Sequence, residues 1–171
     1  YMINYIDDRF IEVELSLNSA EGLKIPNTAI TEKEFYEIPK EYITSGGNSE
    51  KDGVVLETYE EGNLVFDFKE ATIYYYDETR DMVYISADLF ESGSNIKNPS
   101  KDSNQKLKVT DKVTLEGVYN VNKGYCVFKV INKVYSNEEY TIVTPDSTYG
   151  ISSYDHIVVD ATTVKEQDII K

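Results

Sequence analysis

The side chains that most often carry chemistry are scarce in this sequence. It has one histidine, His156, and one cysteine, Cys126, which stand well apart. A protein zinc site takes about three or four Cys, His or carboxylate ligands, so this pair does not predict one. No Gly-x-Ser-x-Gly elbow, phosphate-binding loop or dinucleotide fingerprint occurs. The sequence therefore predicts no enzyme: no catalytic residue, no metal ligand and no cofactor.

Carboxylates are abundant, with 31 acidic side chains, and two short stretches concentrate them, "IDDR" and "DETRD". Neither stretch has the alternating ligands and the glycine of a calcium loop, so both are typical of polar turns. Two carboxylates paired in space could still hydrolyse a glycoside, because such a pair need not be close in sequence. A hydrolase therefore stays open as an alternative at this point.

Tyrosine is the most distinctive residue type, with fifteen copies and no tryptophan. In the stretch "IYYYD" (73–77), strand alternation places Tyr74 and Tyr76 on one face and Tyr75 on the other. Exposed tyrosines on a sheet can bind a sugar or a partner protein. More often they pair across strands and cap the core. We take Tyr74, Tyr75 and Tyr76 as candidate partner-binding residues.

The overall charge limits the classes of partner. The chain of 171 residues carries 17 basic side chains against its acidic ones, which leaves a formal net charge of -14. Such a charge repels nucleic-acid phosphates and anionic lipid surfaces, so we expect no nucleic-acid partner. No run of apolar residues is long enough to span a membrane. The single cysteine lies within "YCVF", which predicts a small buried hydrophobic side chain.

The residue pattern favours strands over helices, because Tyr, Thr, Val and Ile are frequent. "RFIEVELSL" (9–17) alternates strictly, which predicts a half-buried strand with its apolar side chains inside. Pro26 should lie at a strand edge or end, and Pro39 should open a short helical turn. We predict an all-β fold of antiparallel hairpins. The predicted buried set is Ile11, Val13, Leu15 and Leu17; the further predicted strands lie near 53–59, 63–68, 71–76, 82–86, 94–97, 106–121, 124–135, 139–144 and 156–160.

Two stretches of the chain share an order of features that indicates a duplication. Residues 53–97 and 117–160 each open with Gly-Val and carry a second glycine before a Val-Phe pair. The alignment pairs Phe66 with Phe128 and 82–85 with 140–143. Length differences fall in loops, as expected for a duplicated unit. We predict two related antiparallel β-barrel or meander units in tandem, divided in the polar stretch 98–105 into domains 1–100 and 101–171.

Several short motifs resemble one known family. "LKIPNTAI" (23–30), Gly53-Val54, Val65-Phe66 and the turn from Leu89 through Gly93 to Ile96 occur in the order found in haemolysin-D-type membrane-fusion proteins, the periplasmic adaptor subunits. The chain is similar to the branch found in clostridia and other Gram-positive bacteria, and the resemblance covers nearly all of it. It departs from the pattern at Ser94, where the family has an acidic residue.

The resemblance implies a role without chemistry. Residues 1–100 would hold the last barrel strands and a membrane-proximal-like unit, and 101–171 a second copy of that unit. The protein would work outside the cytoplasmic membrane, in the cell envelope, anchored through a segment that this sequence does not contain. Its partners would be a membrane transporter or copies of itself. The alternative function is a cell-surface module that binds glycan or peptide through exposed tyrosines.

Overall fold

The computed structural model describes residues 21–46, 50–100 and 104–169. These residues form an all-β protein of thirteen strands and three short 3₁₀ turns, which confirms the predicted fold class. The predicted strand at 9–17, with Ile11, Val13, Leu15 and Leu17, lies outside the described residues. The strands are β1 Leu23–Pro26, β2 Ile30–Pro39, β3 Thr44–Gly46, β4 Lys51–Glu60, β5 Asn63–Glu70, β6 Ile73–Asp77, β7 Met82–Ser86, β8 Asn95–Lys97, β9 Lys106–Lys108, β10 Lys112–Asn122, β11 Tyr125–Val130, β12 Lys133–Ser136 and β13 Tyr140–Val143.

The strands form three antiparallel sheets. A three-stranded sheet has the order β1-β13-β12, and a five-stranded sheet has the order β11-β10-β2-β7-β6. In the third sheet, β3 and β8 pair with successive parts of one edge of β4, and β9 pairs with β8. The opposite edge of β4 pairs with β5. Within the described ranges, no helix is both long enough and apolar enough to cross a membrane.

The five-stranded sheet curls until its two outer strands approach each other. Tyr74 on β6 and Phe128 on β11 lie with ring centroids 6.3 Å apart, and Phe35 on the central strand β2 lies 5.1 Å and 5.7 Å from them. The sheet is therefore a nearly closed barrel around an aromatic cluster. Alternate residues of β2 and β7 face the other way, where Tyr36 and Ile85 enter the core shared with the third sheet.

Two short elbows turn the chain from one sheet into the next. In the first, β1 ends at Pro26, a 3₁₀ turn covers Asn27–Ala29, and β2 follows. In the second, β2 ends at Pro39, and a 3₁₀ turn over Lys40–Tyr42 leads into β3. Both prolines thus end a strand, where the missing N–H is not needed by a ladder. The helical turn predicted after Ile38 is confirmed.

The strand ladders define two related units. In the first unit Thr44 pairs with Gly53 and Pro39 with Met82; in the second, Thr31 pairs with Gly117 and Pro26 with Tyr140. Each unit then returns a short segment to its first hairpin: Leu56 pairs with Ile96, and Asn120 bridges to Ile157. The two units therefore share one order of strands, and the predicted correspondence of 82–85 with 140–143 is confirmed. The elbow of the second unit, at Pro26, precedes the whole first unit in sequence, and the rest of the second unit follows it. The first unit therefore lies within the sequence span of the second.

The predicted equivalence of Phe66 and Phe128 is wrong. Phe66 is 44% exposed, whereas Phe128 is 1% exposed. The counterpart of Phe128 is Phe68, because each ring packs directly on the first glycine of its own hairpin. Side chains on a strand alternate between two faces with a period of two residues. A sequence alignment displaced by two positions therefore keeps the same faces together while it pairs the wrong residues.

Three predicted strands are broken. The strand expected over 106–121 is divided into β9 and β10, and that over 124–135 into β11 and β12. The strand expected over 156–160 is reduced to the isolated bridge at Ile157. The division into 1–100 and 101–171 stays a prediction; the five-stranded sheet takes β2, β6 and β7 from the first range and β10 and β11 from the second.

Candidate functional site

The three predicted partner-binding tyrosines are half-buried, and a bulge changes which of them share a side. The β6–β7 ladder shifts register between Ile73 and Tyr75. Tyr74 and Tyr75 therefore both pack on the aromatic cluster, whereas Tyr76 packs on the core of the third sheet. The predicted sharing of one face by Tyr74 and Tyr76 is wrong, because the bulge inserts one extra residue into the alternation. Their part in partner binding stays a prediction.

The cysteine, the histidine and the acidic turn that the sequence singles out all take part in local packing or hydrogen bonding. Cys126 is buried, as predicted, and burial raises the pKa of its thiol. His156 is exposed, and its carbonyl accepts a hydrogen bond from the Val121 N–H. In the turn 77–81, Asp77 accepts hydrogen bonds from Thr79 and Arg80, as a polar turn should. In the described part of the chain, no three His, Cys, Asp or Glu side chains are arranged to hold a metal ion.

The most unusual polar group lies at the seam of the barrel, between β6 and β11. The Glu166 carboxylate is ion-paired with Lys33 Nζ of β2 and accepts a hydrogen bond of 2.7 Å from the Tyr74 hydroxyl of β6. It also accepts a longer one of 3.4 Å from the Phe128 N–H of β11. One carboxylate thus joins three strands of the sheet. We call Lys33, Tyr74 and the Phe128 N–H the carboxylate receptor.

Both ends of the ion pair are largely withdrawn from water. The Lys33 and Glu166 side chains are 15% and 20% exposed. The Lys33 ammonium also lies 4.5 Å from the Tyr74 ring centroid, in cation–π contact. Burial, and then the hydrogen bond to Glu166, raise the pKa of the Tyr74 hydroxyl well above its usual value. Tyr74 therefore stays a neutral donor, which suits it to hold a carboxylate.

The segment 164–169, which we call the tail, brings Glu166 to the seam. Asp160 caps the 3₁₀ turn Ala161–Thr163 that precedes it. The Gln167 N–H then donates to the Cys126 carbonyl at 2.8 Å, and the Cys126 N–H donates to the Asp168 carbonyl at 3.0 Å. Ile169 forms a bridge with Tyr125. The tail therefore lies antiparallel along the outer edge of β11, where a further barrel strand would pair.

An open cleft adjoins the receptor and gives it contact with solvent. Its volume is about 450 Å³. Lys33, Tyr74, Glu166 and Gln167 form one side of it, and the rest is lined by Glu70, Ala71, Thr72, Ser86, Asp88 and Leu89. The acidic residues in this lining would repel a second anion near the one that Lys33 binds.

A second surface is apolar. On the β4–β5 hairpin, Tyr59 pairs directly with Leu64, and Phe66 follows two residues later on the same face. Tyr59 is 70% exposed and Leu64 44% exposed. The turn beside them carries Glu60 and Glu61, both exposed. We call Tyr59, Leu64 and Phe66 the hairpin face.

No pattern in the sequence indicates the carboxylate receptor. Lys33 and Glu166 stand at opposite ends of the described chain, and neither belongs to a motif. Lys33 stands between Glu32 and Glu34, in a polar context typical of a solvent-facing residue, so the pattern hides its position. Only Tyr74 is among the predicted residues, and it is half-buried where the sequence predicts exposure.

No protein-family model, no curated protein and no solved structure matches the chain. The class of protein therefore follows from the fold alone: an all-β protein of antiparallel sheets, one of which is a nearly closed barrel-like sheet.

Proposed function

We propose that the chain is a non-enzymatic adaptor fragment of the haemolysin-D type, working in the cell envelope and docking on a membrane transporter. The observation that supports this most is the position of "LKIPNTAI", the most characteristic of the resembling motifs. It forms an elbow between the three-stranded and five-stranded sheets, and Ile25 and Ala29 are buried in the core at that junction. The motif therefore holds the two sheets in a fixed arrangement, and a docking surface requires such rigidity.

The hairpin face is the surface that we propose for docking. Its three apolar side chains are exposed together, whereas exposed apolar residues on a free surface are usually scattered. The acidic turn at Glu60 and Glu61 favours a partner that adds basic residues around an apolar patch. A second copy of this chain, with its own charge of -14, would be repelled at the same place. A transporter subunit is therefore the partner that we propose.

Photo-crosslinking in cells tests the docking. A photoreactive phenylalanine analogue replaces Leu64 in the full-length protein, and a matched variant carries it at Glu138, an exposed residue beyond β12. We expect a crosslink to a membrane transporter subunit from position 64 and none from position 138. Equal crosslinking from both positions, or none from position 64, would contradict the proposal. A crosslink between two copies of the protein would contradict docking on a transporter and indicate self-assembly.

The location is tested separately. Because Cys126 is buried, a cysteine introduced at Glu138 would be the accessible thiol among the described residues. We expect a membrane-impermeant maleimide to label this variant in intact cells as fully as after lysis. Labelling that requires lysis would place the protein inside the cytoplasm and refute an envelope role.

A further inference from the structure

The seam of the barrel has the features of a ligand-binding site that is already filled. The receptor offers one ammonium, one phenolic O–H and one backbone N–H, all directed at a single carboxylate. These are the donors that recognise a glutamate side chain. The edge of β11 adds one donor and one acceptor at Cys126, which bind the backbone of an extended segment. Recognition by an open strand edge plus one side-chain pocket is a common mode of peptide binding.

The tail is held mainly through that one site. Lys165, Gln167, Asp168 and Ile169 are all exposed. Besides Glu166, its links to the barrel are the two hydrogen bonds at Cys126 and the bridge at Tyr125. Its departure would break chiefly these polar contacts.

We propose that the seam is a binding site for an extended peptide carrying a single glutamate, and that the chain's own tail occupies it in cis. The ligand is a segment of a partner protein that inserts its glutamate onto Lys33 and Tyr74 and pairs its backbone with Cys126. This inference does not depend on the adaptor role.

The cleft beside the receptor defines the chemistry of the ligand further. Glu70 and Asp88 line it together with Gln167, which follows the inserted glutamate. A carboxylate at the position of Gln167 would line the same cleft as these two acidic side chains, of which Glu70 is ion-paired with Lys51. Charge repulsion in the cleft therefore favours a neutral residue directly after the glutamate.

Peptide titration against the full chain tests the proposal. The probe is a fluorescent peptide with the sequence of residues 160–169, DATTVKEQDI. In the wild-type protein the tail competes at an effective concentration in the mM range, so the peptide should bind weakly. Glu166→Ala in the protein removes the competing carboxylate, and we expect the peptide to bind at least about tenfold more tightly, as loss of a charge-assisted contact implies.

Three controls decide what holds the peptide. A Glu166→Gln peptide should bind the Glu166→Ala protein about tenfold more weakly, because the charge is lost while the shape is kept. A Gln167→Glu peptide should also bind more weakly. A protein with both Lys33→Met and Glu166→Ala should not bind the original peptide. Equal binding of the wild-type and Glu166→Ala proteins, or of the Glu and Gln peptides, would overturn the proposal.

A second measurement needs no protein variant. A nitroxide-labelled copy of the peptide, added to the wild-type protein at mM concentration, should broaden the amide resonances of Cys126 and Phe128. The amide of Gly62, at the tip of the β4–β5 hairpin, serves as the control. Unchanged Cys126 and Phe128 resonances at saturating peptide would also overturn the proposal, even if Glu166→Ala fails to fold.

Discussion

The Phe128 ring lies directly on the backbone of Gly117. A Cβ at Gly117 would come within 2.4 Å of a ring carbon of Phe128 and within 2.4 Å of the Lys129 carbonyl oxygen. Phe68 and Gly53 repeat this relationship in the first unit, where the ring comes within 2.5 Å of such a Cβ. The contact between a glycine and the phenylalanine across its hairpin is therefore repeated in both units.

Gly117→Ala should destabilise the protein, although alanine in a strand usually improves on glycine by roughly 0.5–1 kcal/mol. The new methyl group must displace both the ring and a backbone carbonyl, so we expect a loss of about 1–3 kcal/mol in the free energy of unfolding. Urea denaturation measures it. Thr114→Ala, at an exposed position on the same strand, is the control and should change stability by about 0.5 kcal/mol or less. A stabilised Gly117→Ala protein would contradict this packing.

Lys106→Met should cost more than its own exposure implies. Lys106 Nζ lies 2.5 Å from Glu57 Oε2, and the Glu57 side chain is only 3% exposed. Removing the lysine leaves a buried carboxylate without its ion pair. Because Lys106 itself is partly solvated, we expect a loss of about 1–2 kcal/mol.

The matched control for Lys106→Met is Lys69→Met. Lys69 pairs with Asp67 at 3.0 Å, and both side chains are nearly half exposed. Exposed pairs contribute about 0–1 kcal/mol, so this variant should unfold at nearly the wild-type urea concentration. Equal losses from the two variants would show that the burial of Glu57 does not matter.

The turn after β6 should resist acid because of Thr79. Hydrogen bonds from Thr79 and then Arg80 lower the pKa of Asp77 to about 2. A carboxyl pKa lowered by folding stabilises the protein above the unfolded value of 3.8, and this contribution is lost as the pH falls through about 2. Thr79→Val should raise the pKa of Asp77 and move that loss to higher pH. NMR titration of the Asp77 carboxyl carbon measures the change. Thr162→Val should instead raise the pKa of Asp160 and leave Asp77 unchanged.

Tyr84 should make the fold sensitive to strong alkali. Burial, and then a hydrogen bond of 2.7 Å to Glu37, raise the pKa of its hydroxyl to about 12. The resulting stabilisation is complete below the unfolded value of about 10 and is lost as the pH rises through about 12. Glu37→Gln should lower this pKa, which NMR of the tyrosine ring carbon can follow. Glu34→Gln, which breaks the Lys112 pair, is the control and should leave the pKa of Tyr84 unaltered.

Local patterns in the sequence were sufficient for most of the strands. Alternation, glycine-containing turns and the two prolines depend on interactions within a few residues, and β4 to β8 and β13 lie close to where the pattern placed them. The repeated order of features along the chain was also visible. Its second elbow, "IPKEYI" (38–43), repeats the form of "IPNTAI" (25–30) and could have been recognised from the sequence.

The sequence by itself determined the fold class, the hairpins and the presence of two related units, because these follow from periodicity and turn chemistry. The tertiary structure alone decided which residues meet. A bulge places Tyr74 on the same side as Tyr75. The phenylalanine that contacts Gly53 is Phe68, two residues beyond the one that the alignment indicates. The carboxylate receptor forms only when the sheet curls and the tail returns to β11, which brings Glu166 to Lys33. Such a contact depends on the closure of the barrel, and no pattern of neighbouring residues encodes it.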